Sequence, residues 1–293
     1  LHLMDYHGGM YNIGLPYVES TIKGTPWVTH LETMDEVWVT NHSSMENLKE
    51  SGINATIIDM PLSLDKYVDV QTAELPTDGD YVFYTIGEMG RRKNFVALLK
   101  AFHIAFHPSE PVSLVMKTSK YGMSDDEVGE QMKNTCLLVR EQLKLHSNIE
   151  EYKHEIIINN HISYPKLLGL HETADCYVNT SFGEGCCLPA WDAVMMKNPM
   201  VVPDYLYDDF PFDSVRSYQT RKEPCTGATD TFPWLFTARD TWFGSDVMSL
   251  ANAMREVYDK RDTFKSDAID TRKMFDQDQY DKHCNQLKEL LNA

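Results

Sequence analysis

Short apolar runs alternate with stretches of helical period along most of this 293-residue chain. The run 81–86, YVFYTI, shows no polar alternation and lies between Gly79 and Gly87, the pattern of a strand buried on both faces. Behind Asn94, the residues Phe95, Leu98, Leu99, Phe102 and Phe106 recur at helical spacing, which predicts an amphipathic helix capped by that asparagine. Further strands are predicted at 112–116, 155–159, 176–179 and 200–202. Helices are predicted over 125–146, from Ser163 with Pro165 in the first turn, and from Pro189 to Lys197. Strand and helix in turn predict a doubly wound, parallel-sheet α/β domain, where ligands bind beyond the carboxyl ends of the strands.

Upstream, 36–40 reads as a strand, Asn41 as the cap of a short helix ending near Gly52, and 55–60 as another strand. The polar stretch 71–80, with Pro76 and Gly79, reads as a linker. The expected organisation is therefore a partial N-terminal α/β domain over 1–75, a Rossmann-like domain over 76–270, and a C-terminal helix over 271–293.

Composition narrows the function. Acidic residues outnumber basic ones 44 to 27, a net charge of −17. So acidic a surface repels phosphate backbones and anionic lipid, which argues against a nucleic-acid binder or a membrane-surface binder. No apolar run approaches the ~20 residues needed to span a bilayer, and residues 1–9 show no secretory pattern. The chain lacks an initiator Met, as expected of a fragment or a processed form. Six scattered cysteines form no C-x-x-C pair, which predicts a reducing, cytoplasmic setting. His103 and His107 stand four apart, a spacing compatible with a metal pair, but no third ligand is nearby and the helix is otherwise amphipathic. No metal site is expected, and the acidic pairs Asp125-Asp126 and Asp208-Asp209 read as solvated turns or caps.

Two strand-to-helix loops carry candidate chemistry. In the first, Gly87-Glu88-Met89-Gly90-Arg91-Arg92-Lys93-Asn94, three adjacent cations stand at a helix N-terminus, where backbone N–H groups already favour an anion. In the second, Glu184 sits on a glycine-flanked turn after a strand, and Asp192 follows in the next helix after seven intervening residues. Two carboxylates so placed suit the hydroxyls of one ligand. The plain alternative is that the first loop is solvated and the two acids only decorate a helix start.

These residues carry a resemblance. The segment SFGEGCCLPAWDAVMMKNPMVV resembles the E-x7-E signature of the retaining nucleotide-sugar glycosyltransferases of family 4, which have the GT-B fold. GRRKNFVALLKAF is similar to that family's diphosphate-binding segment, and TWFGSDVMSLANAMREVYDKRD to a later one. The resemblance implies transfer of a sugar from a nucleoside-diphosphate sugar to a glycan, lipid or protein acceptor, without metal and with retention, the leaving phosphate taking the acceptor proton. It places Glu184 on the donor sugar and Asp192 on the nucleotide ribose. It sets Lys93 and Arg92 on the diphosphate at the loop opened by Gly87. Gly185 and the amides of Cys186, Cys187 and Leu188 face the donor, and the 160–163 loop with His161 lies near the base.

The sequence departs from that pattern in four places. Asp192 replaces a Glu, Cys186-Cys187 replaces Phe-Gly, and Glu88 stands where relatives carry an Arg that Arg91 or Arg92 would replace. Only about 75 residues precede the linker, roughly half an acceptor domain, so a further segment or a partner chain is expected to complete it. A donor-binding module without transferase activity of its own is the alternative. His7, flanked by glycine, is the one early histidine placed to reach an acceptor, against the plainer reading of a structural histidine.

Overall fold

The computed structural model describes residues 6–59, 61–227 and 237–292; positions 1–5 of the opening segment lie outside the described residues. Its first part carries β1 (Ile13–Gly14), α1 (Trp27–Leu31), β2 (Glu36–Val39), α2 (His42–Glu50) and β3 (Thr56–Ile57). The strands form a parallel sheet in the order β1-β2-β3 over a core of Val18, Ile22, Leu31, Val39 and Leu48. Asn41 caps α2 as expected, its side chain accepting from the Ser44 amide. Of the run 55–60, Met60 lies outside the described residues and the rest yields only a two-residue strand. Its pairing ends at Val39↔Ile57, because β2 turns into the Asn41 cap there and offers no further backbone.

The larger part holds β4 (Tyr81–Glu88), α3 (Phe95–Ala105), β5 (Val112–Ser119), α4 (Asp125–Leu143), β6 (Ile156–Ile158) and α5 (Tyr164–Thr173). It continues through β7 (Cys176–Val178), α6 (Leu188–Met195), β8 (Met200–Pro203) and β9 (Val215–Tyr218). The sheet runs β6-β5-β4-β7-β8-β9, every pairing parallel. Counted from β4 this is the order 3-2-1-4-5-6, whose switch point falls between β4 and β7. The apolar run of β4 is buried on both faces as its pattern predicts: Phe83 joins one core with Leu98, Phe102 and Leu114, while Val82 and Tyr84 join the other with Leu170 and Val194.

An antiparallel hairpin of β10 (Thr220–Pro224) and β11 (Thr241–Ser245) follows, which the hydrophobic pattern did not announce. The chain ends in α7 (Val247–Asp259), α8 (Arg261–Arg272) and α9 (Gln277–Asn292). No described helix is long and apolar enough to cross a membrane.

Residues 71–80 are irregular but packed down. The Gln71 amide donates to Pro165 O at 3.1 Å, and Thr173 Oγ1 donates to Ala73 O at 3.0 Å. A Cβ on Gly169 would fall 1.7 Å from Gln71 O, so only glycine admits this approach. The polar stretch read as a linker is a strap hydrogen-bonded to α5. His103 bonds Glu155 at 2.5 Å, which Arg140 also engages, whereas His107 turns to Ser109; the two histidines share no ligand position.

His171 gives the fold an acid-sensitive point. Its Nδ1 lies 2.6 Å from the Tyr84 hydroxyl, its Nε2 has no partner among the described residues, and burial pushes its pKa down to about 3. An unfolded histidine titrates near ~6.5. Below that pH the unfolded chain takes up a proton that the folded chain refuses, so stability present above pH 6.5 is lost as pH falls toward 3. Urea unfolding at pH 6.5 and 5 is expected to show a loss of about 2 kcal/mol from this residue. His171→Gln should remove that part of the slope; an unchanged slope would refute it.

Candidate functional site

The loop leaving β4 makes one tight turn over Arg91–Lys93 and enters α3 through Asn94, which sits in the left-handed region at φ 51°. That conformation corrects the capping expectation. The Asn94 side chain makes no cap bond to α3 and donates instead to Ser245 Oγ at 3.2 Å. Ser163 likewise starts α5 without a side-chain cap bond. The turn splits the three cations. Arg91 faces outward to Thr226 O at 3.0 Å and to Glu223 at 3.9 Å, while Arg92 and Lys93 turn inward to Glu184. Gly87 makes room for the lysine: a Cβ there would meet three carbons of the Lys93 side chain at 3.0–3.1 Å. Glu88 is held by the Tyr121 amide at 3.1 Å and stands 3.8 Å from Lys120.

Glu184, in the loop leaving β7, is 5 % exposed rather than presented on an open turn. Its Oε1 accepts from Lys93 Nζ at 2.5 Å, Ser181 Oγ at 2.5 Å and Asn179 Nδ2 at 3.3 Å, and its Oε2 from Arg92 at 3.3 Å. Burial alone would raise this carboxyl, but Lys93 and Arg92 outweigh it and hold the pKa at about 2. Arg92 is in turn held 3.1 Å from Glu19, and the two carboxylates overcome the burial that would lower its pKa. The flanking glycines serve close packing. A Cβ on Gly183 would fall 1.7 Å from Glu19 O, and one on Gly185 2.7 Å from Tyr17 Cβ. Asn41 Nδ2 donates to Glu184 O and Thr40 Oγ1 to Gly185 O, both at 2.8 Å. Residues beyond the carboxyl ends of β1 and β2 thus meet residues beyond those of β4 and β7.

Cys187 initiates α6 at φ 52°, with its buried Sγ accepting from Asn179 at 3.1 Å; Cys186 is half-buried and Leu188 is exposed. Burial pushes both thiols up, which keeps them protonated and poor nucleophiles. Asp192, one turn into α6, is 6 % exposed and accepts on Oδ1 from the hydroxyls of Tyr67 at 2.8 Å and Tyr164 at 2.9 Å. Burial raises its pKa against those two bonds. Two O–H donors on one carboxylate are the chemistry a ribose would offer. His161 is exposed in the loop after β6, on the same rim. His7 lies on an exposed turn whose backbone is held by Asn12.

Sequence reasoning missed Glu19, Asn41, Tyr67 and Tyr164 as site partners. Each comes from a distant segment and carries no local motif. It also read Asp208-Asp209 as a solvated pair, whereas Asp209 is buried against His42.

The fold defined by these two facing α/β parts, with the doubly wound sheet as the larger, is of the GT-B kind. Among solved structures, the trehalose-6-phosphate synthase OtsA superimposes with a TM-score of 0.64 at 10% identity, over 97% of this chain and 68% of that one. A sucrose-phosphate synthase from Thermosynechococcus elongatus gives 0.64 at 16% identity, over 96% and 68%. Anabaena HepE, solved in complex with UDP and glucose, gives 0.62 at 13% identity, over 96% and 71%. At these identities the likeness is one of fold. No family description and no curated protein matches the chain.

Proposed function

We propose that this protein transfers a sugar from a nucleoside-diphosphate sugar to an acceptor, with retention, in the manner of the family 4 glycosyltransferases. The observation that carries the reading is positional. The cation loop and the Glu184 loop leave adjacent strands, β4 and β7, on either side of the switch point, where α/β sheets bind their ligands. Lys93 and the N-termini of α3 and α6 would face the diphosphate and stabilise it as it leaves. Asp192 would exchange its tyrosine hydroxyls for ribose hydroxyls. Glu184 holds Lys93 and Arg92 in place, and it would reach the sugar only by exchanging one of its present partners.

The positive charge is borne by the protein, and among the described residues no group of three His, Cys, Asp or Glu could hold a metal ion. With a panel of UDP-, GDP-, ADP- and dTDP-sugars, one donor is expected to bind and turn over in EDTA. Activity that vanishes in EDTA and returns with manganese would contradict the mechanism. A donor-binding module is the second reading, favoured by the full set of partners on Glu184. Donor binding without turnover would select it.

A further inference from the structure

Beyond the carboxyl ends of β2, β3 and β8 lies a cavity of 170 Å³ that the donor reading does not use. It far exceeds the ~10–15 Å³ that one water requires. Thr40, His42, Asp59, Trp191, Asp209 and Tyr280 line it. It adjoins the donor loops, since Thr40 donates to Gly185 O and Trp191 precedes Asp192 in α6.

One lining residue carries an unfilled acceptor. Asp209 has a side chain 8% exposed, and its Oδ1 accepts both from the His42 backbone N–H at 2.9 Å and from His42 Nδ1 at 2.7 Å. Its Oδ2 is buried with no partner among the described residues. With Nδ1 donating to Asp209, the imidazole is left with Nε2 as a second acceptor. Buried polar atoms in folded proteins nearly always have partners, so this pair fits a ligand bearing O–H groups.

The lining also states what is excluded. Four acids contribute, Asp59 and Asp276 besides Asp208 and Asp209, with no lysine or arginine among the described lining residues. Such a wall repels phosphate and carboxylate. Trp191 and Tyr280 supply ring surface, the apolar complement to a few placed polar groups that small-molecule sites use.

We propose that this cavity binds an uncharged pyranose ring through His42 Nε2 and the Asp209 carboxylate, and that it is the acceptor subsite. The word acceptor rests on the transferase reading above; the binding of the sugar does not.

The test is ligand-observed NMR on the full chain with methyl pyranosides of glucose, galactose and mannose, with glucose 6-phosphate as the anionic control. At least one glycoside is expected to bind, and glucose 6-phosphate is not. Asp209→Asn should weaken that glycoside at least tenfold. His42→Gln, which leaves the carboxylate in place, should do the same and serves if the first variant does not fold. Nucleoside-diphosphate affinity, read on the same samples, should survive both changes, while Lys93→Ala should leave glycoside binding intact. Failure of diphosphate binding alone would count against the transferase reading and not against this site. Silence of all three glycosides, equal binding of glucose 6-phosphate, or full binding by folded Asp209→Asn would overturn it.

Discussion

Replacing Glu184 by glutamine is expected to lower the folding free energy by about 3 kcal/mol while leaving the side-chain volume unchanged. Removing one partner of a buried ion pair typically costs ~3–5 kcal/mol, because the remaining charge loses its counterion. The lower end applies here, since Arg92 keeps Glu19 and the Lys93 side chain retains 15% exposure. The same carboxylate has a pH signature. Its folded pKa of about 2 lies below the ordinary 4.5, so its stabilisation is complete above pH 4.5 and disappears as pH falls toward 2. Over that window the loss should come to about 3 kcal/mol; it overlaps the His171 window between pH 4.5 and 3, so the difference between parent and variant isolates the Glu184 part. Urea titrations of parent and variant at pH 7 and pH 3 measure both. Were Glu184 only a helix decoration, glutamine would cost at most ~0.5–2 kcal/mol and the acid slope would not change.

Replacing Lys93 by alanine acts on the ligand instead. Binding of nucleoside diphosphate should weaken by about 1.5–3 kcal/mol, the scale of a charge-assisted hydrogen bond, or roughly ten- to hundredfold in Kd. Binding of the nucleoside alone should hardly change. The variant also takes one counterion from buried Glu184 and should lose stability, but it should stay folded because Glu184 still accepts from Arg92, Ser181 and Asn179. Lys93 Nζ has three donors and gives only one to Glu184, so the ion pair leaves it able to bind phosphate. Isothermal calorimetry with the diphosphate and the nucleoside decides the matter. Equal loss for both ligands would remove Lys93 from the phosphate site.

The parallel sheet was legible because each central strand is a continuous apolar run, and the run itself encodes burial on two faces. The two loops at the switch point were legible for the same reason, since each directly follows such a run. What could not be read were partners supplied across the chain. Asn41 reaches Glu184 over 143 positions and His42 reaches Asp209 over 167, and no local pattern records either meeting. Local chemistry also misled where backbone conformation overrode it. Asn94 is a sound capping residue by type, yet its left-handed φ turns the side chain toward β11. Asp208-Asp209 looked like an exposed acidic turn, and only the packing of α2 against it removes Asp209 from water.

The strap over residues 71–80 decides where this molecule is able to bend. A glycine at 169 lies flush beneath Gln71, and the strap's backbone is tied to α5 at both Pro165 and Thr173. Residues from 71 onward therefore travel with the large sheet. If the two sheets part to admit a donor, the pivot lies earlier, in residues 61–70, where Tyr67 at the end of a short 3-10 helix reaches Asp192. Unlocking the hinge and freeing the carboxylate proposed for the ribose would then be one event: the hydroxyl that leaves the carboxylate is carried by the segment that swings.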